Sequence, residues 1–302
     1  MVTFLTYLIN GLNIGSVYAV IALGYTMVYG VAKMLNFAHG DVIMVGAFLA
    51  YCICVYAGLH PIIAVIGAVV GCTILGILIE RLAYKPLRQA TSLAVLITAI
   101  GMSYFLQNMA QLIWTSDTKM FPEIISGGTI VLYKTIENGV EKSLTLSPIN
   151  ILTMVSCVAI MIALTLFINK TKMGKAMRCV SEDKGAAELM GINVNLTISV
   201  TFAIGSALAA VAGILLCASN YAALSPTTGS LPGIKAFTAA VFGGIGSIPG
   251  AMLGGILLGI IENLGKAYVS SELADAFVFG VLILVLLIRP TGLLGKKIHE
   301  KV

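Results

Sequence analysis

The residues of this sequence that could act on a solute are few, and most stand between long apolar runs. Asn36-Phe37-Ala38-His39-Gly40-Asp41 brings an amide, an imidazole and a carboxylate together. That grouping suits either a polar patch on a solute pathway or the capping of a helix that begins beside it. Thr98, Ser103, Gln107 and Asn108 recur along one apolar run at spacings that do not all share a helix face. Such side chains serve interhelical hydrogen bonds or solute contact. Gly244-Ile245-Gly246, followed by Ser247-Ile248-Pro249-Gly250, breaks a later run. Irregular backbone at membrane depth persists only where protein or a water-filled path covers it, so this break is expected to flank a translocation route.

Other chemistry is poorly represented. Asp41, Glu80 and Glu262 fall near the expected ends of apolar runs, where a carboxylate is read as interfacial and not as an ion site. HExxH, GxSxG and the GxxxxGK(S/T) phosphate loop are absent, so the chain is not read as an enzyme and any ATP must be handled elsewhere. Gly244-x-Gly246 follows no expected strand, which argues against a dinucleotide fingerprint. The six cysteines form no CxxC pair and no Cys/His set. They read as small buried hydrophobes, and no metal or cofactor is expected.

The elements that must position these residues are membrane helices. The 302 residues are 59% hydrophobic and 10% charged, against about 25% charged in globular domains. Segments 1–32, 42–79, 89–116, 143–169, 189–234 and 236–261 contain no Asp, Glu, Lys or Arg. Each exceeds the roughly 20 residues that cross a bilayer as helix, and none alternates as a barrel strand would. The first run has no basic residue before it and is too long for a signal-peptide core, so it reads as a retained helix. Gly58-Leu59-His60-Pro61 divides the second run. The fold expected is therefore all-α, a polytopic transmembrane bundle forming one domain over residues 1–302. Crossings are placed near 4–29, 42–57, 61–79, 93–114, 149–168, 197–218, 250–266 and 275–289, with an insert at 234–245, giving eight to nine membrane segments.

Charge then orients the bundle. Twelve of the eighteen Lys and Arg residues fall within 81–88, 170–184 and 289–301, which marks those segments as cytoplasmic. Residues 115–148 become an extracytoplasmic loop, the N-terminus lies outside, and parity puts the Gly243–Gly250 turn on the cytoplasmic side. Within the outer loop, Thr129–Tyr133 and Leu144–Leu146 about Asn138-Gly139 read as two short strands. The cytoplasmic loop 169–196 is basic and helix-prone around Ser181–Gly191, which suits a docking surface. Gly11xxxGly15, Gly67xxxGly71, Gly250xxxGly254 and Gly255xxxGly259 are expected to pack helices within the subunit.

Gly185-Ala186-Ala187, then three intervening residues and Gly191, resembles the Glu-Ala-Ala loop of ABC importer permeases, with Gly185 where a glutamate is usual. Asn10-Gly11, Tyr18-Ala19, Gly24-Tyr25-Thr26 and Asn36–Gly40 resemble the opening of branched-chain amino-acid permeases. Ala236–Val241, Gly243–Ala251, Leu106-Gln107-Asn108 and Arg289-Pro290-Thr291-Gly292 are similar to later parts of that family. The resemblance spans Asn10 to Gly295 and is closest to the LivH-type branch. It implies a bacterial inner-membrane subunit that pairs with a second homologous permease, two cytoplasmic ATP-binding subunits and an extracytoplasmic amino-acid binding protein. It implies coupling to the ATPases through Glu182, Gly185, Ala186, Ala187 and Gly191, with a pathway past Asn36, His39, Gln107, Asn108, Gly244 and Gly246. Permeases of this family for urea or amides, and a stand-alone secondary carrier or channel, are the alternatives.

Overall fold

The computed structural model describes residues 2–124, 128–137, 140–219 and 222–295. Its helices are α1 (Val2–Ala32), α2 (His39–Tyr51), α3 (Pro61–Ile79), α4 (Ser92–Trp114), α5 (Pro148–Lys170), α6 (Lys172–Glu182), α7 (Lys184–Leu189), α8 (Val194–Ser219), α9 (Ser230–Gly243), α10 (Ile248–Tyr268) and α11 (Ala274–Ile288). Two are prolonged by π-helical turns, α2 through Cys52–Tyr56 and α3 through Glu80–Tyr84. Proline opens α3 and α5, where its missing N–H would have had no intrahelical partner anyway. His60 stays extended and its side chain accepts from the Ile62 N–H, which accounts for the break expected at Gly58–Pro61.

Seven of these helices, counting α2 and α3 with their extensions, are long and apolar enough to cross a membrane. The expected eight to nine is not reached. α9 and α11 have 14 and 15 residues. At 1.5 Å per residue they span about 21 and 22 Å, short of a hydrocarbon core of about 30 Å.

Burial follows an order that lipid explains. α3 and α5 are among the most apolar spans and the least buried, whereas α1 and α8 are the most buried. A helix face that meets lipid is apolar, while a central helix needs small residues that admit close neighbours. α1 supplies them. At Gly15, an added Cβ would lie 2.8 Å from the Ile256 Cα, and at Gly255 it would lie 2.4 Å from the Ala19 Cα, so α1 and α10 touch along their backbones. Gly254 packs in the same way on α9, so the glycine spacings seal helices within the subunit as expected.

The two ends of the bundle are distinct. At one end, Lys184 donates to the Ala32 carbonyl (3.1 Å), Tyr84 donates to Asn36 (2.9 Å), and Arg88 contacts both Glu80 and Asn195. The backbone N–H groups of Leu293 and Leu294 donate to the carbonyls of Phe242 and Gly243 (both 2.9 Å), which places the Gly243–Gly250 turn beside the C-terminal segment. At the other end, the Trp114 indole donates to the Cys52 sulfur (3.0 Å) and Lys119 to Tyr56 (3.0 Å). There β1 (Lys119–Met120) pairs antiparallel with β4 (Ala223–Leu224). β2 (Ile130–Glu137) pairs antiparallel with β3 (Val140–Leu146), longer strands than expected. The Asn138-Gly139 turn lies outside the described residues.

Candidate coupling surface and translocation site

The chain doubles back between α1 and α2 without regular structure, and this geometry creates the polar interior. His39 packs against Gly24, where an added Cβ would come within 2.6 Å of the imidazole. From Gly24 to the α1 terminus at Ala32 is eight residues, so α2 begins about 12 Å inside the bundle. Residues 33–36, which have no helical structure, therefore descend to that depth. The capping reading of Asn36–Asp41 does not hold, because the N-cap is Ala38, which has no side-chain acceptor to offer. Each polar side chain instead engages another element. Asn36 accepts from Tyr84, His39 lies 4.5 Å from the Tyr25 ring centroid, and Asp41 accepts from Gln107 (2.9 Å).

Asn36 and His39 line one cleft with Tyr25, Met34, Phe237 and Ile245. Only about 10 Å³ in it is open to the centre of a water molecule, room for about one water. Ile245 reaches the cleft from a turn in which Gly244 has φ +104° and Gly246 φ +93°, a region that L side chains rarely adopt. Gly244 and Gly246 thus shape the backbone that presents Ile245. Gln107 belongs to a separate cluster, its amide nitrogen reaching Asp41, Ser103 (3.3 Å) and Ser230 (3.2 Å). Asn108 joins neither. It is exposed and donates to the Tyr104 carbonyl in its own helix (2.7 Å).

The carboxylates expected at interfaces are all buried: Asp41 is 1% exposed, and Glu80 and Glu262 are 0%. Glu80 pairs with Arg88 and accepts from Ser199 (2.6 Å). Glu262 pairs with Lys235 (2.9 Å) and Lys266 (2.5 Å) and accepts from Tyr18 (2.9 Å), while Lys235 also reaches Asp275 (2.6 Å). These partners supply the compensation that a buried charge requires, and they tie α9, α10, α11 and α1 together.

The basic loop folds as an elbow. α6 buries Gly174, Met177 and Val180 against the bundle and leaves Lys172, Lys175 and Arg178 exposed. Asp183 caps α7 by accepting from the Ala186 N–H (3.0 Å). Gly191 ends it at φ +78° with the Ile192 N–H bonded to the Ala187 carbonyl (3.0 Å), the left-handed helix stop that favours glycine. Gly191 is therefore required by the turn itself. Ala187 is buried, so it anchors α7 to its own bundle, whereas Glu182, Gly185 and Ala186 are exposed. Lys184 is half-buried, and burial, followed by the nearby Arg88 and Lys33 charges, holds its amino group below the usual lysine range. At the end of α7, Leu189 is 91% exposed and the next residue, Met190, 81%.

A profile of the family described as "Branched-chain amino acid transport system / permease component" matches residues 7–286. The chain belongs to that family. The permease is 48% identical to the high-affinity branched-chain amino acid transport system permease protein BraD of Pseudomonas aeruginosa, covering 99% of this chain and 98% of the relative. It is 45% identical to the permease protein LivH of Escherichia coli K12 over the same shares. A xylose transport system permease protein, XylH of Escherichia coli K12, is 33% identical over 100 residues, covering 31% of this permease and 25% of XylH. Among solved structures, PsaBC from Streptococcus pneumoniae in complex with Fab has a similar fold, with a TM-score of 0.50 and 14% identity over 94% of the permease and 92% of that chain.

Two features of this permease were not found from its residues. Leu189 and Met190 lie in the stretch read as a docking surface, but nothing in the sequence singles them out as the apolar side chains that project from it. The Asp41–Gln107–Ser230 contact joins positions 66 and 123 residues apart, a distance no local spacing reveals.

Proposed function

We infer that this chain is the transmembrane permease subunit of an ATP-driven importer that carries branched-chain amino acids across the bacterial inner membrane. The family match over residues 7–286, nearly the whole chain, carries the reading. The chain performs no chemistry of its own. Its partners are a second homologous permease, two cytoplasmic ATP-binding subunits and an extracytoplasmic amino-acid binding protein. Residues 115–148 face that binding protein, and residues 169–196 are the cytoplasmic coupling loop within a single permease domain.

In this reading the α6–α7 elbow transmits ATPase movement to the bundle. The exposed Glu182, Gly185, Ala186, Leu189 and Met190 support it as the docking face, with Ala187 and Gly191 holding that face in shape. Asn36, His39 and the Gly244–Gly246 turn flank the pathway, which is closed in this conformation because their cleft admits about one water. Gln107 lies on the pathway through its bond to Asp41, and exposed Asn108 faces away from that cluster.

Copurification and reconstitution test the reading. The chain should leave native membranes with two ATPases and a second permease, and the complete assembly in vesicles should take up leucine, isoleucine or valine only with ATP and the binding protein. The isolated chain should bind no ATP and move no amino acid. Uptake by the isolated chain driven by a proton or sodium gradient would instead establish a secondary carrier.

A further inference from the structure

Of the three buried carboxylates, two have cations and one has none. Glu80 meets Arg88, and Glu262 meets Lys235 and Lys266. Asp41, although 1% exposed, has no basic partner among the described residues. Its side-chain contacts are neutral donors on α4, the Gln107 amide and the Ser103 hydroxyl. An ionised carboxylate in apolar surroundings is costly unless paired, and an ionisable residue at membrane depth is retained for function.

We propose that Asp41, with Ser103, Gln107 and Ser230 around it, receives the ammonium group of the amino acid during its passage. The proposal rests on the transport reading above and names the chemistry of that passage. An ammonium has three donors and no acceptor. The Asp41 carboxylate and the hydroxyls of Ser103 and Ser230 offer three acceptors, held in one cluster by the shared contacts of the Gln107 amide. Charge-assisted bonds of this kind are roughly twice as strong as neutral ones, and a bound cation would supply the counter-charge that Asp41 lacks.

Access and the fate of the side chain follow from exposure. Ser230 and Gln107 are half-buried beside the fully buried Asp41, so they are the members of the cluster nearest its surface. Directly along α9 from Ser230, Leu231 is 57% exposed and Ile234 42%. An amino acid with its ammonium on Asp41 would lay a branched aliphatic side chain against that apolar strip. Glu262, equally buried, cannot play the same part, because two lysines already neutralise it.

The test uses the complete importer in vesicles. Asp41→Asn should lower leucine uptake by about tenfold or more, the effect of one lost charge-assisted bond, while binding-protein-stimulated ATP hydrolysis and assembly persist. Asp41→Glu should restore part of the uptake. A second measurement leaves Asp41 intact. With the native cysteines replaced and Leu231→Cys introduced, a thiol reagent should be slowed by leucine and by 3-methylbutylamine, which carries the ammonium alone. It should not be slowed by 4-methylpentanoate, which lacks the ammonium, or by sodium chloride. Equal protection by the amine and the acid overturns the proposal, as does protection by sodium alone, which would make Asp41 an inorganic cation site. Full uptake by the Asp41→Asn importer overturns it too. If the unmodified importer hydrolyses ATP but moves no branched-chain amino acid, the transport reading fails instead, and the amine still reports on Asp41.

Discussion

Removing the Leu189 side chain tests the coupling surface directly. Leu189 is 91% exposed in the permease, so Leu189→Ala removes almost no contact within the chain and should leave its folding nearly unchanged. Any loss must then arise at a partner. Burying a Leu side chain fully is worth about 1.5 to 3 kcal/mol. Truncation to Ala deletes three carbons at about 0.8 kcal/mol each, so the loss approaches about 2.4 kcal/mol, or roughly 50-fold in affinity. Leu189→Asp should cost more, since a charge would enter the apolar contact unpaired. The assay is retention of the ATPase subunits on a tagged permease across a dilution series, followed by ATP-driven leucine uptake. Membrane insertion and thermal unfolding of the permease serve as controls and should not change. If both substituted chains retain their ATPases at unmodified affinity and import leucine at the unmodified rate, Leu189 is not a docking residue.

Ala187→Trp should act differently, because Ala187 is buried: overpacking costs about 1 to 3 kcal/mol and should appear first as lower thermal stability of the permease alone. Glu262→Gln should lower stability by about 3 to 5 kcal/mol by leaving Lys235 and Lys266 without their shared carboxylate, measured as a fall in Tm in detergent, with Lys235→Met in the same chain recovering part of it. Gly15→Leu should separate α1 from α10 and reduce folded yield, read by size-exclusion profile, because the added side chain would meet the Ile256 backbone. Exposed Cys179 should react with a membrane-impermeant maleimide in inside-out vesicles only, and Lys134→Cys in right-side-out vesicles only; the reverse pattern would invert the topology.

The spans were legible because lipid enforces a local rule. Charge-free runs long enough to cross became helices whose ends fall within a few residues of those expected, and the proline at 61 marked its boundary through fixed φ and a missing donor. The grouping of the basic segments was legible too, since Lys184, Arg88 and the 289–295 segment lie at one end of the bundle. Buried charge was not legible. Glu262 reads as interfacial when only its neighbours in sequence are considered, but its hydroxyl partner Tyr18 is 244 residues away. Gly191 and Ala187 were read for their small size at a docking face, although a left-handed φ and an inward orientation explain them. Small residues carry that ambiguity wherever backbone conformation and packing both select them.

The seam between α1 and α10 also sets a schedule for assembly. Gly15 and Gly255, which line that seam, are 240 residues apart in the chain. At synthesis rates of about 5 to 20 residues per second, α1 would wait roughly 12 to 48 s in the membrane before its packing partner is made. Throughout that interval the face that Gly15 and Ala19 present to α10 lies against lipid or a chaperoning surface and not against its final partner. The first helix to be inserted is therefore among the last to be enclosed, and quality control of this subunit has its longest opportunity at the N-terminal span.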